Sequence, residues 1–328
     1  MFAGVLNKGL RENFLLLIVL IFSMLIISFF VINEPEFLFY PDLFYNFLSS
    51  KVNNKLLIIC VNCLLIIISG YLIFKISVEE EVGDKNNIYP LFIFLCINLV
   101  CCHSKQIISQ FITNIFFLYA FYKLIVAYRK ENALSELFIA SFWLSVSAFI
   151  TTISILCFPL FIIAWLILRP FSLREFVTIL IGFLTPVFMV EGVAYLTNFN
   201  QWYFIFVTKE FFKTLKFPLI SEYYYLILIY LGLIFIISLI NALVVGFGNT
   251  IKKQKARKIL IWNLFFSLFI LFAGGATGTS ILIMFSFPLS IFIGDFFFQI
   301  KQLRITNTLL GLFILCLFSI ILAKFNII

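Results

Sequence analysis

Charge is what this chain has least of. Asp, Glu, Lys and Arg together make up 12% of its 328 residues, and histidine occurs once, at His103. A soluble domain carries about 25% charged and about 45–50% apolar residues, whereas 63% of this chain is hydrophobic and its mean hydropathy is +1.16. One histidine excludes any site built on several imidazoles. Also missing is the ten-residue alternation of a membrane β-strand. In its place stand apolar runs of about 17 to 23 residues, each long enough to cross a hydrocarbon layer of about 30 Å as a helix. Because only helices and closed barrels satisfy the backbone inside lipid, the expected fold is an all-α polytopic transmembrane helical bundle. About 11 spans are expected, in one integral-membrane domain over 1–328.

Other absences narrow the chemistry. Lys8 and Arg11 precede an apolar run from Phe14 to Ile32, but Asn33-Glu34-Pro35-Glu36 follows instead of a small-x-small cleavage site, so a retained first span is expected. Gly274-Gly275-Ala276-Thr277-Gly278-Thr279 lacks the Gly-Lys-Ser/Thr ending of a phosphate-binding loop. Neither nucleotide, haem nor iron is expected. The seven cysteines all lie in apolar runs and read as small core residues. Cys60-Val61-Asn62-Cys63 and Cys101-Cys102-His103 have close spacing, yet nothing in the sequence makes them converge on a metal.

What charge there is follows a pattern. The net charge of +8 is not a nucleic-acid footprint: most basic residues, and every arginine (Arg11, Arg129, Arg169, Arg174, Arg257, Arg304), fall in segments that the runs place on one side. The positive-inside rule assigns that side to the cytoplasm of a bacterial inner membrane, with the N-terminus cytoplasmic and the C-terminus periplasmic. The central marker is Arg169-Pro170-Phe171-Ser172-Leu173-Arg174-Glu175. Pro170 disfavours helix at Arg169, and Ser172 with Glu175 has the spacing of a capping box. The apolar stretch Leu137 to Leu168 is too long for one crossing, about 48 Å as a helix, and a turn is expected at Thr151-Thr152. Glu79-Glu80-Glu81 reads as a solvated turn, and Lys252 to Lys258 as a loop that orients the chain and attracts anionic lipid.

On the outer side two loops stand out. In 33–54, Glu34, Glu36 and Asp42 alternate with aromatics, and Phe44, Phe47 and Leu48 share a helical face. In 198–222, Phe204, Val207, Phe211 and Leu215 oppose Lys209, Lys213 and Lys216. Both read as interfacial helices. Glu191 and Asp295, in or near spans, are functional candidates because charge within lipid is costly.

Leu134 to Met189, with its apolar hairpin, the Arg-Pro-Phe-x-x-Arg-Glu motif (Arg169, Pro170, Arg174, Glu175) and Gly182-Phe183-Leu184-Thr185-Pro186, resembles an uncharacterised family of polytopic inner-membrane proteins from Bacteroidota. Some members carry the label beta-carotene monooxygenase, which His103 alone cannot support. The layout of an acidic first outer loop, short hairpins at 89–126 and 137–168 and a proline-bearing seventh span is similar, more distantly, to the GT-C membrane glycosyltransferases. That resemblance implies a GT-C-like core over 1–200, with 201–328 as additional spans. It also implies a polyprenyl-phosphate-linked sugar as substrate, a first-loop acid (Glu34, Glu36 or Asp42) as base or ligand of a divalent cation, and Lys105, Lys209 and Lys213 as phosphate partners. The alternatives are a non-enzymatic scaffold or partner subunit of an envelope assembly, and thirdly a transporter. Membrane lipids and a membrane-protein partner are the expected associates.

Overall fold

A segment apolar on every face can be buried only inside a large bundle or in lipid, and helices are the form in which it keeps its backbone bonded there. The computed structural model describes residues 55–83, 87–99, 107–128, 130–196, 225–245, 250–273, 278–300 and 302–324. All regular structure among them is helical. In chain order the elements are α1 (Lys55–Phe74), continued by a π-helical turn (Lys75–Glu79), α2 (Tyr89–Leu99), α3 (Ile107–Ala127) and α4 (Leu134–Ile150). A 3-10 segment (Thr152–Leu156), α5 (Cys157–Leu168), α6 (Leu173–Leu196), α7 (Tyr225–Val245), α8 (Ile251–Ala273), α9 (Gly278–Gln299) and α10 (Leu303–Lys324) follow. Three helical stretches, Leu56–Glu79, Ile108–Ala127 and Leu173–Val193, are long and apolar enough to cross a membrane, and shorter apolar helices accompany them.

The long apolar stretch breaks where its length requires. Helix α4 stops at Ile150, Thr151 is extended at φ −126° and ψ 115°, and the 3-10 segment leads into α5. The chain reverses there: Arg169, just past α5, donates to the carbonyls of Ala127 and Lys130, the same end of the bundle at which α4 starts. Tertiary bonds order the other helices likewise. Lys75 lies over Tyr122, Lys252 reaches Glu80, Arg257 faces Asp295, and Asn241 donates to Gln299. Successive helices therefore alternate in direction, and one end of the bundle collects the described residues 75–83, 87, 127–128, 130–136, 168–175 and 250–258.

The core forms between these helices from large side chains with few alternatives in packing. Phe121 of α3 meets Phe161 of α5 and Phe287 of α9 edge-on, at 6.5 and 6.2 Å between ring centroids. Such edge-to-face contacts add about 0.5–1.5 kcal/mol beyond area burial. Two close crossings require glycine. A Cβ on Gly182 of α6 would lie 2.8 Å from the Phe138 carbonyl of α4, and one on Gly294 of α9 would lie 2.6 Å from the Pro90 ring of α2. Peripheral α6 is otherwise little covered: 17% of its apolar window is buried, against 50% and 56% for α1 and α3. Its uncovered side suits lipid.

Candidate functional site

Lys75–Glu79, Lys123–Glu136, Lys130–Glu136, Arg169–Glu175, Lys252–Glu80 and Arg257–Asp295 all pair at the one end just defined. The most connected group is the Arg169 guanidinium. Pro170 holds Arg169 extended at φ −128° and ψ 151°, which carries its side chain under the ends of three helices. Its Nε donates to Glu175 Oε1 and Oε2 at 3.0 and 3.1 Å, and Nη2 lies 2.8 Å from Oε1. Nη1 donates to the Ala127 and Lys130 carbonyls, both at 2.7 Å, and Nη2 to that of Glu131 at 3.4 Å. The guanidinium thus caps α3, ties α5 to α6, and uses a fork of donors that lysine lacks.

Half of the expected capping box forms. The Glu175 amide donates to Ser172 Oγ at 3.3 Å. The Glu175 carboxylate, instead of turning back to the Ser172 amide, accepts from Arg169 and from Trp165 Nε1 at 2.9 Å. A buried charged donor outcompetes a solvent-exposed amide. Arg174, in the first turn of α6, makes no described side-chain bond of this kind and is exposed.

Two readings of charged segments, one as an orienting loop and one as a solvated turn, are corrected. Lys252 to Lys258 is not a loop but the first two turns of α8, and Lys252, Lys253 and Arg257 are buried. Lys252 Nζ meets Glu80 Oε2 at 2.6 Å, and Lys255 Nζ donates to the Leu168 carbonyl at 2.9 Å while lying over the Tyr128 ring. The Glu79-Glu80-Glu81 triplet is likewise not a free turn. It closes the π-helical turn, Glu80 is paired with Lys252, and Glu81 adopts φ 58°, a left-handed conformation that costs a non-glycine residue on the order of 1 kcal/mol. Positive charge in the first turn of α8 opposes the helix dipole, so partners such as Glu80 are needed to bury it.

Asp295 is where the sequence candidate and the structure meet. Its Oδ2 faces Arg257 Nη2 at 3.5 Å, with both side chains 8% exposed, and its Oδ1 accepts from Asn87 Nδ2 at 3.1 Å. Asn87 Oδ1 in turn accepts from the Tyr89 amide at the start of α2. Gly83 lies against the carboxylate, where a Cβ would be 3.0 Å from Oδ1 and 2.3 Å from Ser77 Oγ. A fourth cluster joins Glu136 of α4 to Lys123, 3.0 Å away on α3, and to Lys130. Chemically these groups form a charge-neutralising belt that links α1, α3, α4, α5, α6, α8 and α9.

The remaining sequence candidates separate from this belt. Glu191 is half-buried on α6, toward the end of that helix far from Arg169. Glu34, Glu36, Asp42, His103, Lys105, Lys209 and Lys213 lie outside the described residues, so their grouping rests on sequence alone. Among the described residues no three His, Cys, Asp or Glu side chains gather as metal ligands, and Cys60, Cys63, Cys96 and Cys157 are not in disulfides. Sequence reasoning missed Glu80, Asn87, Lys123, Glu136, Lys252 and Arg257. The available signal was acids and bases recurring at the same ends of neighbouring spans. No family model, curated protein or solved structure matches the chain.

Proposed function

We propose that the chain is a multi-pass protein of the bacterial inner membrane that handles or transfers a polyprenyl-phosphate-linked sugar at the outer face. The reading takes about 11 spans, with a GT-C-like layout in the first seven. Its support is the polarity of the bundle. The described ion pairs are spent at one end; in the sequence, Lys105 stands two residues before α3, and Lys209 and Lys213 follow α6, helices whose nearer termini lie at the other end. In this reading Glu34, Glu36 or Asp42 takes the proton of an acceptor hydroxyl. The acceptor oxygen bonds to the anomeric carbon as the bond from that carbon to the phosphate oxygen breaks. The departing polyprenyl phosphate is held by Lys105, Lys209 and Lys213, and a divalent cation held by the acids is the alternative role for them.

The test is Glu34→Gln, Glu36→Gln and Asp42→Asn, separately and together, with lipid-linked glycan products measured in membranes of matched protein content. A general base contributes typically 100- to 10,000-fold, so at least one variant is expected to abolish product. Full product from all three and from the triple variant replaces the enzyme reading by the second one, a scaffold or partner subunit. One observation favours that second reading: the belt fastens seven helices to one another at that end.

A further inference from the structure

One segment of the charged end is strained. Helix α1 runs on as the π-helical turn Lys75–Glu79, a form that recurs at functional sites. Glu81 then takes φ 58°, a left-handed conformation that glycine adopts freely and glutamate does not. Beyond it the Gly83 amide folds back and donates to the Ser77 carbonyl at 3.0 Å. Gly83 is thereby pressed onto two polar groups: a Cβ there would lie 2.3 Å from Ser77 Oγ and 3.0 Å from Asp295 Oδ1. Ser77, Asn87, Arg257 and Asp295 are all buried around this contact, and Ser77 Oγ has no hydrogen-bond partner.

Closure sets a short set of ties against this strain. Val82 is buried, the Gly83 amide has its bond to Ser77, and Lys252 Nζ meets Glu80 Oε2 at 2.6 Å. The ion pair fastens the segment to α8, whose Arg257, five residues on, faces Asp295. Against closure stand the left-handed Glu81 and the Ser77 hydroxyl left without a partner. Strained segments are kept in place only by the structure around them, and segments with few buried contacts are the ones that open locally. Water already reaches one side of this segment, because the Glu79 side chain is 49% exposed. A small outward movement brings Glu80 to that water.

We propose that Glu79–Gly83 is a strap that Lys252 latches over Asp295. Released from Lys252, Glu80 turns to water, Gly83 lifts off the carboxylate, and Asp295, Arg257 and Ser77 become accessible from the charged end. The strap thus gates a carboxylate that the bundle otherwise keeps buried. That carboxylate is suited to exchanging partners, since its contact with Arg257 is 3.5 Å, longer than the roughly 2.7–2.9 Å of a tight charge-assisted bond. No outer-loop residue takes part, so failure of the loop-acid test and failure of this one are independent.

The experiment uses full-length protein in detergent and two variants. Lys252→Met keeps an apolar stem in place and leaves Glu80 without its counter-charge, which drives a buried carboxylate outward. Gly83→Ala leaves the latch intact but puts a methyl group against Ser77 Oγ and Asp295 Oδ1. Hydrogen exchange followed by mass spectrometry is expected to show the amides of Glu80–Gly83 exchanging about tenfold faster in Lys252→Met than in the parent, with α2 and α9 unchanged. Carbodiimide coupling of a small amine is expected to label Asp295 faster by a similar factor. Glu136, held in the same belt by Lys123 and Lys130, serves as the internal reference and should not change. Unchanged labelling of Asp295 in Lys252→Met overturns the proposal. So does faster exchange spread equally over α2 and α9, which would mean that the pair supports the whole bundle and latches nothing. If Lys252→Met does not fold, Gly83→Ala decides by the same readings.

Discussion

The two polar regions of this bundle follow opposite rules. At the charged end, Arg169 shares its donors among Glu175 and three carbonyls, and Asp295 divides its two oxygens between Arg257 and Asn87. Around Thr151, deeper in the bundle, the groups are neutral, and Asn114 Nδ2 and Gln110 Oε1, on the helix that carries its partner Thr113, lack partners. Full charge taken out of water is tolerable only when paired and hydrogen-bonded. An uncharged amide is cheaper to leave open. The first region therefore reads as framework and the second as the part of the framework with bonding capacity to spare.

The sharpest way to break this comparison is to remove the hub of the charged region. Arg169→Ala leaves Glu175 with Trp165 Nε1 but no counter-charge, and it uncaps the end of α3. Breaking a buried pair by deleting one partner costs about 3–5 kcal/mol. A large fall in the unfolding temperature in detergent is expected. Arg169→Lys restores the charge but not the fork that reaches both Ala127 and Lys130, so its Tm should lie between those of the Ala variant and the parent. An Ala variant that melts with the parent would show that the belt does not hold the fold.

A smaller effect is expected where the pair is looser. Arg257 and Asp295 are 3.5 Å apart, longer than the roughly 2.7–2.9 Å of a tight charge-assisted bond. Asp295→Ala and Arg257→Ala should each destabilise, since each leaves an opposite charge buried. The double variant should cost less than their sum, with a coupling of about 0.5–3 kcal/mol. Strict additivity in that thermodynamic cycle would mean that Asn87 and the surrounding packing, rather than Arg257, stabilise Asp295.

The helical class and the break at Thr151 were legible in the sequence because they depend on run length, which local composition records directly. The extended Arg169 was legible too, since proline acts on its neighbour in the chain. The belt was not. Glu80 and Lys252 are far apart in sequence, and a triplet of glutamates looks the same whether solvated or paired. Helix α8 begins at Ile251 although its first two turns are basic, because Glu80, Asp295 and the Leu168 carbonyl answer those charges in three dimensions. Hydropathy alone had assigned that segment to a loop. Asp295 was found for a sound local reason, charge near a span, while its partners Arg257 and Asn87 were hidden by distance along the chain.

The least effect is expected from the ion pair of the belt in which both side chains are well exposed to water. Lys75 Nζ lies 3.9 Å from Glu79 Oε2, with the two side chains 28% and 49% exposed, and 4.7 Å from the centroid of the Tyr122 ring. An exposed pair one helical turn apart contributes about 0.3–0.5 kcal/mol and is screened by salt, and an exposed cation–π contact adds about 0.5–1 kcal/mol. Lys75→Met keeps the apolar stem over the ring and loses only the charge, so the expected loss is below about 1 kcal/mol, and smaller again in high salt. Measured beside Arg169→Ala, it tests whether burial, rather than the number of charges, sets the strength of this end of the molecule. A Lys75→Met loss as large as that of Arg169→Ala would overturn that ordering and place the π-helical turn, not Arg169, at the centre of the belt.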